Sequence, residues 1–375
     1  MIDFNKVAIL GNELEYIKQT YENNHLSGDG AFTKKCHTYL EENLGVQKAL
    51  LTTSCTHALE MAALLLNLKP GDEVIAPSFT FVSTINAFLL HGAKPVIVDV
   101  RPDTLNLDEN LVENFITEKT KAIVPVHYAG VACEMDKLQV IANRHNVHIV
   151  EDNAHGLFSK YKGKYTGTFG TFATQSFHET KNFSCGEGGA LLINDPSFIG
   201  RAEIIREKGT NRSRFFRGMI DKYTWVDLGS SYIPSDILAA VLYAQFENRD
   251  LIQQRRKIIW DQYNQVLASW AIENNFRLPI IPDECEQPYH MFYMLAPDLE
   301  TRTRFIQTLR DQDIYCVFHY LPLHLSEKGQ QLGGKPGDCP VTEKVSDQLV
   351  RLPLNNSMGL EDVEQVIDAV LAFKS

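Results

Sequence analysis

Seven short apolar runs, at 47–53, 73–77, 95–100, 121–127, 147–152, 171–177 and 189–194, decide most of what this chain can fold into. Most are near-continuous apolar segments, not alternating ones, which marks strands covered on both faces. Helical periodicities at 56–67, 80–91, 107–118 and 134–145 separate the first five. That order predicts an α/β domain built on a mostly parallel sheet of seven strands. A loop joins the last two runs in place of a helix, so one strand is expected to run antiparallel.

The flanks are mostly helical. Patterns at 12–24 and 32–44 meet at Ser27-Gly28-Asp29-Gly30, with the second helix expected to start near Thr33. After a helix at 197–208 comes an irregular polar stretch, and from Ser235 one long helical pattern runs to about 270. Its length suits a crossing between domains. The remainder alternates strand-like pieces (291–296, 314–319) with helical ones (299–312, 341–349, 360–373), and 329–340 reads as a surface loop. The division expected is a large α/β domain at 1–234 and a smaller α+β domain, with the long helix, at 235–375.

Forty-seven acidic against 36 basic residues give a net charge of −11, which argues against nucleic acid or an anionic membrane as partner. The seven cysteines include no CxxC pair, so neither a metal site nor a disulfide framework is expected, and a reducing cytoplasm fits best. No signal-peptide pattern opens the sequence, and no apolar run reaches membrane-spanning length.

The chemistry centres on Lys181, in Ser176-Phe177-His178-Glu179-Thr180-Lys181-Asn182, ahead of the glycine run 186–189. A partly buried lysine can lose its proton and attack a carbonyl, here the aldehyde of pyridoxal phosphate. Such a role demands a carboxylate for the pyridine nitrogen, a phosphate cradle and a stacking partner. Asp152 follows the apolar run 147–150, and His155 is placed to pack on the ring or reach its phenolic oxygen. Ser54, Cys55 and Thr56 open a helix whose N–H groups can hold phosphate, with Ser176 adding a hydroxyl. Phe79 or Phe81 can stack. Each segment falls at the C-terminal end of a predicted strand. Singly, each reads more simply as an N-cap, a core residue or a solvated lysine; their joint placement carries the reading.

The ordered set 54–59, 77–81, 151–156 and 176–181 resembles the DegT/DnrJ/EryC1/StrS family of sugar-nucleotide aminotransferases, over essentially the whole chain. The resemblance implies the fold type I architecture of pyridoxal-phosphate enzymes and a homodimer with shared active sites. It makes Lys181 the lysine that binds the cofactor's aldehyde and Asp152 the pyridinium partner. Residues 54–56 and Ser176 become the phosphate cup, Phe81 the stacking ring, and His155 a neighbour of the 3′-oxygen. Within the family, 124–136, 206–213 and 318–324 most resemble the enterobacterial common antigen subgroup, which makes dTDP-4-amino-4,6-dideoxygalactose. The implied reaction moves the amino group of L-glutamate to the C4 ketone of dTDP-4-dehydro-6-deoxyglucose. The C4 epimer as product and a C3 aminotransferase stay open alongside it. A related sugar dehydratase would carry His in place of Lys181, and a ligand-sensing regulator would normally lose that lysine. One departure is Ile233, where many members place an Asn that reaches the neighbouring subunit's phosphate; Ser230 or Ser231 could substitute.

Arg206, Lys208, Arg212, Arg214 and Arg217 face a single acid, Glu207, within 206–217, a stretch that reads equally as a diphosphate site or a solvated basic turn. His319, Tyr320 and His324 are candidates for the sugar pocket.

Overall fold

The computed structural model describes every residue but Ala8 and Ser375. The seven apolar runs form one sheet of β1 (Lys48–Thr52), β2 (Glu73–Pro77), β3 (Lys94–Val98), β4 (Thr120–Ile123), β5 (His148–Asp152), β6 (Phe172–Ser176) and β7 (Gly189–Ile193). Their spatial order is β1-β7-β6-β5-β4-β2-β3. β7 is antiparallel to both neighbours and every other pairing is parallel. It is the strand reached through the lysine loop, because parallel neighbours need a longer crossover.

Alternate residues of each strand enter different cores. Leu50, Val74, Ala122, Val150 and Leu191 pack on one face beneath the helix Cys55–Leu65. On the other face, Leu51, Ala173 and Leu192 pack with Phe32 and Phe246, and Ile75, Ile123 and Ile149 with Leu138. Burial on both faces is why the runs are apolar throughout.

Two helical expectations need correction. The pattern at 107–118 yields only a four-residue helix, Glu109–Val112, and a 3-10 turn. Glu109 is drawn inward to Arg101 (3.0 Å) and Lys137 (2.9 Å), so this segment follows ion pairs instead of helical periodicity. The long pattern from 235 is two helices, Asp236–Glu247 and Arg249–Glu273, broken at Asn248. The first lies on the large-sheet core through Ala239 and Phe246, and the second on a separate core through Trp260, Tyr263 and Trp270. One straight rod could not serve both cores.

That second core includes a three-stranded antiparallel sheet, with Leu349–Leu352 between Phe292–Leu295 and Val317–Phe318. The middle strand lies where the sequence pattern suggested the end of a helix; the helix, Pro340–Gln348, stops one residue before it. Distant carboxylates cap two helices. Asp236 accepts from the N–H groups of Phe32 and Thr33, starting the helix Ala31–Leu44 slightly before the expected position. Asp99, just beyond β3, accepts from Val341 and Thr342 and ties the Pro340–Gln348 helix to the large sheet. Among the described residues, no helix is long and apolar enough to cross a membrane.

Candidate active site

A cavity of about 630 Å³ lies at the C-terminal ends of β1, β5 and β6, bounded on its other side by the small sheet. Side chains following parallel strands converge at this edge of an α/β sheet. The walls bring together Ser54, Cys55, Thr56, Phe81, Asp152, His155, Ser176 and Lys181. His319 and Tyr320 also line it.

One end is built to hold an anion. Ser54 caps the helix Cys55–Leu65, its Oγ accepting from His57 N–H at 3.1 Å. The N–H groups of Cys55 and Thr56 have no acceptor among the described residues, as the first turn of a helix leaves them. Thr56 Oγ1 donates to Ser83 Oγ at 2.8 Å. Gly189 of β7 is paired with Thr52 on one side and Ser176 on the other. A Cβ on Gly189 would stand 2.4 Å from the Cys55 nitrogen. The glycine run 186–189 is thus divided in its work. Gly186 makes a left-handed turn (φ 86°), Gly188 lines the cavity, and Gly189 lets the helix terminus approach. Gly189→Ala is expected to cost about 1–3 kcal/mol through overpacking against backbone. Urea unfolding would show it as a lowered midpoint, and titration with pyridoxal phosphate as weaker binding.

Asp152 is buried at the end of β5. Its Oδ2 accepts from Thr84 Oγ1 at 2.7 Å, and Thr84 in turn stands 2.8 Å from Thr80 Oγ1. Since Thr84 spends its one proton on Asp152, Thr80 must be the donor in the second bond. The other oxygen, Oδ1, has only a long bond from Ala154 N–H at 3.2 Å. This fixes the carboxylate's rotation with an oxygen left for a cationic partner. The adjacent Glu151 faces away and accepts from His127 Nε2 and the N–H groups of Gly167, Phe169 and Gly170, a structural anchor.

Lys181 is half-buried on the cavity wall, and burial lowers its amine from the ordinary lysine value to about 8, while Cys55 and Asp152 pull the other way. The neutral, nucleophilic amine is the form that gains as pH rises through that value. Reconstitution of the cofactor-free protein with pyridoxal phosphate is therefore expected to accelerate between pH 7 and 9 with a midpoint near 8. A stopped-flow pH series following visible absorbance checks this, and a flat profile would contradict the assignment.

Three histidines stand beside the lysine. His155 stacks on His290 with ring centroids 4.5 Å apart, and lies 6.1 Å from His319. Burial pushes all three well below the usual histidine value, so they are neutral. His155 Nδ1 is buried with no hydrogen-bond partner among the described residues. His290 is held by Asn182 (2.8 Å), the residue after the lysine, and Tyr128 Oη is 3.0 Å from His319 Nδ1. Phe81 exposes its ring to the cavity, whereas Phe79 is committed to the core against Tyr128 and Tyr320.

Several lining residues escaped the sequence reading: Thr84, His290, Arg256 and Arg351. Arg256 is buried and donates to the carbonyls of Tyr289, His290 and Leu354, and burial brings it down to about 9. Arg351 projects from the middle strand of the small sheet with a buried Nε that has no hydrogen-bond partner among the described residues. Neither arginine has an ion pair among the described residues. The available signal for Arg351 was a lone cation inside the apolar strand Leu349-Val350-Arg351-Leu352.

Two sequence candidates lie elsewhere in this chain. His324 is a buried link between Ser78 Oγ (2.6 Å) and Glu343 Oε1 (3.0 Å), joining the large domain to the Pro340–Gln348 helix. Arg212 is 3.4 Å from Glu207 and stacks on Phe216, outside the cavity walls. The rest of its basic stretch is less free than its single acid suggested. Arg217 pairs with Glu203, and Arg206 is buried against Asp29 and the Leu51 carbonyl. Ile233 lies on Gly28, where a Cβ would come within 1.9 Å of it.

The cavity fits pyridoxal phosphate: free helix N–H groups and hydroxyls for the phosphate, a preset carboxylate oxygen, an orphaned His155 nitrogen and a lysine of lowered basicity. Comparison with known proteins agrees. The model of the DegT/DnrJ/EryC1/StrS aminotransferase family matches residues 8–371. The spore coat polysaccharide biosynthesis protein SpsC of Bacillus subtilis is 30% identical, over 96% of this chain and 93% of its own. Spr1654 of Streptococcus pneumoniae, provisionally described as a sugar aminotransferase, is 28% identical in its PMP form, with a TM-score of 0.92 over 99% of this chain and 98% of its own. It is also known in a PLP form. PseC of Helicobacter pylori, an aminotransferase involved in pseudoaminic acid biosynthesis, is 25% identical with a TM-score of 0.89 over 99% and 98% of the two chains.

Proposed function

We propose, from the premise that this chain belongs to the DegT/DnrJ/EryC1/StrS aminotransferase family, that it moves the amino group of L-glutamate to the C4 ketone of dTDP-4-dehydro-6-deoxyglucose. The product is a dTDP-4-amino-4,6-dideoxyhexose, with the galacto configuration favoured, for a surface polysaccharide. The cofactor is pyridoxal phosphate; bound, it supplies an aldehyde that carries nitrogen between substrates and a ring that draws electrons from the adjacent carbon.

The observation that carries the donor half is Arg351, a half-buried guanidinium with a buried, unpartnered Nε and no anion among the described residues, in the same cavity as Lys181 and Asp152. A buried charge without a counter-ion is costly, so a ligand carboxylate is its natural complement. Asp152, steadied by Thr84, holds a positive charge at the ring nitrogen. Lys181 Nζ takes the proton from the nitrogen-bearing carbon of the donor and returns one on the opposite side of the nitrogen. In the acceptor half the same amine runs this transfer backwards. The wall of His155, His290 and His319 stays neutral and so does not compete for the carboxylate.

The sugar assignment rests on the likeness of 124–136, 206–213 and 318–324 to the C4 transaminases, and SpsC supports a polysaccharide setting. His319 and Tyr320, on the wall with Phe81, are offered as sugar contacts. A homodimer is supported by the exposed apolar stretch holding Phe216, Trp225 and Leu228. In it, Ser230 and Ser231, both exposed, are free to approach a partner's phosphate site. The test is NMR of the product formed from the dTDP-keto-sugar, cofactor and L-glutamate. Nitrogen on C4 supports the reading, with an axial amine identifying the galacto product and an equatorial one the epimer. Nitrogen on C3, or no amine, overturns it.

A further inference from the structure

Residues 2–5 run from the small domain across the cavity to the lysine loop. Ile2 is buried in the small-domain core; its N–H donates to the Asp313 carbonyl at 2.7 Å, and Tyr315 N–H donates to the Ile2 carbonyl at 3.1 Å. Asn355 Nδ2 donates to the Asp3 carbonyl at 3.3 Å. The Phe4 ring then lies against Arg351, its centroid 4.6 Å from the guanidinium carbon. Asn5 Nδ2 donates to the carbonyl of Glu179 at 3.0 Å, two residues before Lys181. Phe4 and Asn5 both line the cavity.

A guanidinium is planar, and an aromatic ring on one face leaves its N–H edge as the surface that can take a carboxylate. The Arg351 backbone is locked between Tyr293 and Val317 in the sheet, but its long side chain keeps rotational freedom unless something confines it. No hydrogen bond to a described residue does so, and its Nε is orphaned. The Phe4 ring is the restraint present. We propose that Phe4 is a positioning residue that presets Arg351 for the carboxylate of the amino donor, and that Asn5 fixes this strap in register with Lys181. The inference rests on the reading that Arg351 receives that carboxylate.

The test follows the donor half-reaction of the holoenzyme by stopped-flow absorbance over a range of L-glutamate concentrations. Phe4→Ala is expected to raise the half-saturating glutamate concentration roughly tenfold, as loss of a desolvated cation–π contact would, and to leave the limiting rate largely intact. Phe4→Trp, which keeps an aromatic face, is expected to restore the wild-type value. Arg351→Gln serves as the separate arm. If it moves half-saturation and Phe4→Ala does not, the strap has no positioning role and the carboxylate assignment survives. If Arg351→Gln leaves half-saturation unchanged, the assignment itself falls. A drop in limiting rate and cofactor content in Phe4→Ala, without a shift in half-saturation, marks a merely structural residue and overturns the proposal.

Discussion

Lys181→Ala is expected to lower turnover by about a thousandfold or more, the range for loss of a positioned proton-transfer group. On the proposed mechanism two functions vanish together: the amine that captures the cofactor's aldehyde and the base that moves the proton. The variant should still bind pyridoxal phosphate, because the free N–H groups of Cys55 and Thr56 and the Asp152 carboxylate are untouched. Its visible spectrum should be that of free aldehyde instead of lysine-bound cofactor. A small primary amine in the buffer should restore part of the proton-transfer rate. Spectra and single-turnover rates measure both effects, and retention of the lysine-bound band in the variant would show that another residue holds the cofactor.

Asp152→Asn is expected to be the next most damaging change, on the order of 10² to 10³ in turnover, comparable to removing one preorganised charge-stabilising group. The amide keeps the shape and can still accept from Thr84, so the fold and the phosphate end should survive. What it loses is the negative charge proposed to keep the ring nitrogen protonated. The deficit should therefore appear in proton transfer at the carbon beside the nitrogen, with little change in cofactor affinity. A deuterium isotope effect on L-[α-²H]glutamate larger than in the wild type would locate it there. Turnover within tenfold of wild type would remove Asp152 from the mechanism.

The end of the cavity proposed for the cofactor was legible in the sequence because it is local to strand ends. Ser54–Thr56, Asp152 and Ser176–Lys181 each follow an apolar run directly, so finding the strands locates the residues. The end proposed for the donor was not, because it is made by tertiary packing. Arg351 rides on a strand of four residues that directly follows a helix, and the pattern at 341–349 reads through the junction. Phe4 and Asn5 reach the cavity because Ile2 forms an isolated bridge with Ile314, more than 300 residues away. His324 resembled a pocket residue by its neighbours in sequence, but Ser78 and Glu343 claim both its nitrogens. The break at Asn248 was hidden for a similar reason: helical periodicity continues across it, and only the existence of two cores forces the chain to turn.

The most direct measurement of the central claim is nitrogen tracing. The holoenzyme is incubated with L-[α-¹⁵N]glutamate and dTDP-4-dehydro-6-deoxyglucose, and products are resolved by ¹⁵N-edited NMR. The proposed function predicts ¹⁵N bonded to C4 of the nucleotide sugar, with one 2-oxoglutarate formed for each amine. An unlabelled sugar, or ¹⁵N released only as ammonia, would contradict it.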